Sequence, residues 1–137
     1  MDRVYKVEHQ SIYKGYHLVV VFNGAFRCGY VGLPKGHELE NKMYYEDIDY
    51  VIHGGLTYSS VAQDGWGRDG YYWYLGFDCG HFDDGADIEI MKKYGASELA
   101  IEMWSGLNGT VRTKEFVLKE LEKLVERIEK TVNKKGE

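Results

Sequence analysis

The sequence predicts an α+β fold: an antiparallel β-sheet with a long C-terminal α-helix packed across one face. Three features carry this. The β-rich runs 18–22 and 26–31 flank Asn23-Gly24, a pairing that favours a hairpin because its tight turn needs positive φ. Four successive aromatics, Tyr71 to Tyr74, open a second strand-like run. Near the end, Val117, Leu121, Leu124, Val125, Ile128 and Val132 recur at three- and four-residue steps, which lines up one apolar stripe on a helix. A length of 137 residues predicts one domain, 1–137, with sheet and loops over 1–112 and the helix over 113–135.

Taken in order, Val4 to His9 reads as a weak alternating strand, and the hairpin follows. Pro34 and Gly36 break the second hairpin strand, and residues 38–48 have room for one helical turn. Tyr50 to Ser59 reads as a strand interrupted at Gly54-Gly55. Residues 62–70 read as a flexible connector. Gly65, Gly67 and Gly70 match a dinucleotide-binding spacing there, but a strand follows where a helix is required. In the central strand, Tyr71, Trp73, Leu75 and Phe77 share the apolar face; Tyr72, Tyr74, Gly76 and Asp78 share the other. The acidic, glycine-bearing stretch after Cys79 reads as a loop. Ile88 to Met91 and Ser97 to Trp104 suit either a strand or a helix, and Asn108-Gly109-Thr110 reads as a turn. Thr113 is a good N-cap, and Glu115 in the first turn suits the helix dipole. The helical stripe is expected to cover the sheet; a dimer seam is the alternative.

Composition narrows the functions. A formal charge of -5 argues against nonspecific binding to nucleic-acid backbones. The two cysteines, Cys28 and Cys79, make neither a disulfide framework nor a zinc spacing and suit a reducing compartment. Leu18 to Phe22 is too short for a membrane span or a signal core, so residence in the cytoplasm is expected, with no membrane partner.

The candidate chemistry sits where the central strand ends. His53, Asp78, His81 and one of Asp83, Asp84 or Asp87 form an imidazole–carboxylate set able to hold a divalent metal, or to run acid–base chemistry without one. Catalytic roles would fall to His53, Asp78 and His81, the same three being the metal ligands. The structural alternative is a capping aspartate beside solvated loop residues. Cys79 next to His81 sets no triad by spacing alone and reads better as a small core residue. A calcium loop fails, because aligning Gly85 puts Gly80 and Phe82 where acids are needed. Tyr58, Tyr72 and Tyr74, with Trp66, could stack a flat ligand, with Asp83 and Asp84 binding beside them. The alternative is an outer tyrosine face covered by loops or a second subunit.

Three segments resemble a family of small phage and prophage proteins: residues 29–37 (GYVGLPKGH), 53–59 (HGGLTYS) and 73–81 (WYLGFDCGH). Glu38 stands where that pattern has proline, and Gly80 where it has a small residue such as alanine. The resemblance implies a phage-borne cytoplasmic accessory protein and adds His37 to the candidate cluster. Proteins of this kind often counter host defence. The leading expectation is therefore a module binding a small polar or nucleotide-like ligand, or a host defence protein, through His37, His53, Tyr58, Asp78 and His81. A hydrolase of a nucleotide or phosphodiester using the same residues is the second reading. A structural protein that forms homo-oligomers is the third.

Overall fold

The computed structural model describes residues 5–43, 53, 55–63, 65–80, 84–106 and 109–135. Five strands build the main sheet: β1 (Lys6–Tyr13), β2 (Tyr16–Phe22), β3 (Arg27–Pro34), β4 (Tyr58–Val61) and β5 (Tyr71–Asp78). Their order is β1-β2-β3-β5-β4, with every neighbouring pair antiparallel. After β5 come β6 (Asp84–Gly85), α1 (Ile88–Lys93), α2 (Glu98–Trp104), β7 (Thr110–Val111) and α3 (Lys114–Lys135).

The predicted hairpin is β2–β3, but its turn differs from the expected tight form. Phe22 pairs with Arg27 across a loop at 23–26, and Asn23 Oδ1 accepts the N–H groups of Ala25 and Phe26. A carboxamide that supplies two backbone bonds removes the need for positive φ at Asn23. The two-residue turn with positive φ lies instead between β1 and β2. There Tyr13 pairs with Tyr16, and φ is 51° at Lys14 and 87° at Gly15.

Alternation along the central strands sorts side chains as expected. Val20, Val31, Leu33, Trp73, Leu75 and Phe77 point to one face, where α3 adds Val117, Leu121, Leu124, Val125 and Ile128. The helical stripe is committed to the sheet rather than to a dimer seam. Thr113 caps α3 by accepting the Phe116 N–H at 3.1 Å. Val19, Val21, Cys28, Tyr30 and Tyr74 point to the opposite face.

Several expectations are corrected. The strand expected at 50–59 begins only at Tyr58; His53 lies in a turn, and residues 50–52 are outside the described part. The expected loop after Cys79 contains β6, which pairs in parallel with β7 at the position of the expected turn. The ambiguous segments 88–91 and 97–104 belong to helices, capped by Asp87 and Ser97. Both pack at the hairpin end of the sheet, where Met91 of α1 joins Phe22, Ala25 and Ala86 in one buried cluster. The glycine-rich connector is not a loose link: Trp66 is 1% exposed and plugs the outer face. Its indole stacks on Tyr30 at 4.4 Å and meets Tyr74 edge-on at 4.8 Å.

Candidate functional site

The residues singled out in the sequence separate into three places. At the open end of β5, on the outer face, a cavity of about 280 Å³ is lined by Asn23, Cys28, Tyr30, Thr57, Tyr58, Phe77, Asp78 and Gly80. Asp78 reaches it because it pairs with Cys28 across β3–β5, and paired residues share a face. Its Oδ1 accepts the Gly80 N–H at 2.9 Å, and Thr57 donates to its Oδ2 at 3.3 Å. Tyr58 enters from β4 and meets the Tyr30 ring edge-on at 5.0 Å. Gly76 lets the two strands close up here, since a Cβ would lie 2.7 Å from the Gly29 carbonyl oxygen. Burial raises the Tyr30 phenol, with Cys28 beside it adding to the effect, so it stays a neutral hydrogen-bonding group.

His53 lies elsewhere. Its ring packs edge-on against Phe116 at 5.1 Å and Phe77 at 6.3 Å, on the face that α3 covers. Its Nε2 pairs with both oxygens of Asp84, at 2.9 and 3.0 Å, and its backbone N–H donates to Glu120 Oε1. The Arg112 Nε donates to Asp84 Oδ1 at 2.7 Å, and the Asp84 side chain is fully buried. Of the carboxylates grouped with His53 from sequence, Asp84 pairs with it, whereas the expected neighbourhood of His53 and Asp78 is corrected, because Asp78 faces the other side of the sheet. Phe77 and Asp78 are consecutive in β5, so their side chains diverge. Of the metal set His53, Asp78 and His81, the first two take opposite faces of the sheet and the third lies outside the described residues. Among the described residues, no group of three or more His, Cys, Asp or Glu can hold a metal ion. His81 and Asp83 lie outside the described residues.

Cys79 faces the core, 1% exposed. Burial pushes its thiol up, and Asp84 pushes it further, which disfavours the nucleophilic thiolate. His37 is remote from both places. Its Nδ1 accepts the Leu39 N–H at 3.0 Å, which leaves Nε2–H to donate to the Tyr16 oxygen. Tyr16 in turn donates to Glu129 on α3. Burial lowers the His37 pKa, with nearby carboxylates opposing, in keeping with a neutral ring. Tyr74 is fully buried rather than presented to a groove, and Tyr72 is exposed toward the other end of β5.

Sequence reasoning missed a buried ion network. Arg27 is 4% exposed; its Nε donates to Glu8 at 2.6 Å, and one terminal nitrogen donates to Asp87 at 2.7 Å and to the Arg112 carbonyl at 3.1 Å. Tyr94 adds a hydroxyl donor to Glu8 at 2.6 Å. A bulge between Val7 and His9 releases Glu8 from the ladder. Burial alone would lower the Arg27 pKa; its bonds to Glu8 and Asp87 outweigh that and raise it. One signal was present: Arg27 occupies the same alternation as Val31 and Leu33, a charge on an apolar face. Comparison with protein-family models, curated proteins and solved structures gives no match.

Proposed function

We propose that the protein is a small-ligand binding module whose site is the outer-face cavity at the end of β5. One observation carries this: Tyr58 and Asp78 converge there with Asn23 and Thr57, against a wall braced by the Tyr30–Trp66 stack. A preformed concavity with aromatic walls and a few oriented polar groups is what small-molecule recognition requires. The Asp78 carboxylate accepts hydrogen bonds from N–H groups, while Tyr58 offers a ring face. A flat, nitrogen-rich polar ligand of the nucleobase type fits that chemistry. The biological setting, a phage-borne accessory protein acting against host defence, is supported by the three sequence segments alone. The hydrolase reading is weaker, because His53 Nε2 is engaged by a buried carboxylate and Cys79 is buried.

The test uses Trp66, which stacks on a cavity wall and reports occupancy by its fluorescence. Titration with guanosine, adenosine, cytidine and uridine monophosphates is expected to give saturable quenching by at least one of them. Asp78→Ala should weaken that response at least tenfold, the scale of one lost charge-assisted bond of about 1.5–3 kcal/mol. No saturation by any of the four, or an unchanged response in both Asp78→Ala and Tyr58→Ala, rejects the site.

A further inference from the structure

We infer a second binding site, in the cleft between β1, α1 and the start of α3, and its ligand class is a small multivalent anion of the phosphate type. The cleft holds about 560 Å³, within the range of small-molecule sites. Its floor is the Glu8–Arg27–Asp87 network with the Tyr94 hydroxyl; Lys6, Lys93 and Lys114 line it as well. The floor carboxylates are engaged by Arg27, Tyr94 and the Ile90 N–H. Against the three lysines, the remaining lining carboxylate is Glu115. Among the described residues, the Lys93 and Lys114 side chains enter no hydrogen bond or ion pair, and Lys6 lies over the Tyr94 ring at 5.5 Å.

The lining sets four cationic side chains against three carboxylates, a net positive patch on a chain of formal charge -5. A multivalent anion held beside Lys6, Lys93 and Lys114 gains charge-assisted bonds there. Thr113 already caps the Phe116 N–H, so the lysines, not the helix end, supply the attraction. The site is independent of the outer-face cavity: Arg27 and Cys28 are neighbours in β3 and point to opposite faces.

Calorimetric titration of the full chain with sodium pyrophosphate, at fixed ionic strength, tests this. One saturable site is expected, with affinity falling as sodium chloride is raised. The double variant Lys93→Ala/Lys114→Ala should bind at least tenfold more weakly, and Lys93→Arg/Lys114→Arg should retain binding. Amide shifts on titration should cluster at residues 6–8, 87–94 and 113–116, away from Thr57 and Asp78. The proposal is overturned by no saturable heat at millimolar pyrophosphate, by undiminished binding in a folded double alanine variant, or by shifts confined to the outer-face cavity.

Discussion

On one face of the sheet, α3 lays five fully buried aliphatic side chains across the strands; on the other, one indole from a glycine-bracketed loop does the covering. The helix face is redundant and aliphatic. The outer face is singular and aromatic, and its polar atoms are paired internally. His17 shows this: it is fully buried, with Nε2 at 2.9 Å from Gln10 Oε1 and Nδ1 at 2.6 Å from the Tyr74 hydroxyl. Since the Gln10 oxygen accepts, Nε2 carries the proton and Tyr74 donates to Nδ1. The difference teaches that a sheet face can be closed without a second layer when large rings interlock, at the cost of dependence on single residues.

The largest effect that could break this comparison is at Trp66. Trp66→Ala should destabilise by about 4 kcal/mol in urea unfolding, more than Leu121→Ala at about 3 kcal/mol, because no neighbour replaces the lost indole. The reverse order would show that the loop is dispensable.

Acid sharpens the contrast next. Burial lowers the His17 pKa from 6.5 to about 4, with Arg68 contributing, so the folded state takes up its proton later than the unfolded chain does. Stability from this group is complete above pH 6.5 and declines as pH falls toward 4. The full loss is at most about 3 kcal/mol. His17→Gln should flatten the decline between those values relative to the unaltered protein; parallel pH profiles would assign it to other groups.

The smallest effect compares two glycines on β3. A Cβ at Gly32 would lie 2.6 Å from the Tyr74 ring, which His17 holds in place; at Gly29 it would lie 2.8 Å from a Val117 methyl. Gly32→Ala should cost about 1–3 kcal/mol and Gly29→Ala less, since methyl ends yield where a pinned ring does not. Thermal melts of the two variants decide it.

The architecture was legible because periodicity is a local property. The α3 stripe and the alternation of Tyr71 to Asp78 both follow from backbone geometry and hydrophobicity alone. The helices at 88–93 and 98–104 were not legible, because those segments are short and take their order from packing with Phe22 and Ala25. Of the candidate site, Tyr58 and Asp78 were legible at the strand end, and both reach one cavity. The partner of His53 was not, because choosing among Asp78, Asp83, Asp84 and Asp87 requires knowing which face each carboxylate takes.

By itself, the sequence determined the class of fold, the hairpin, the C-terminal helix and which side of β5 is apolar. Only the tertiary structure decided that Glu8 meets Arg27, that Trp66 closes the outer face, and that His53 and Asp78 part company. The physical reason is range: hydrophobic period acts within a turn or a pleat, whereas the ion pairs of Glu8 with Arg27 and of Arg27 with Asp87 join residues 19 and 60 positions apart.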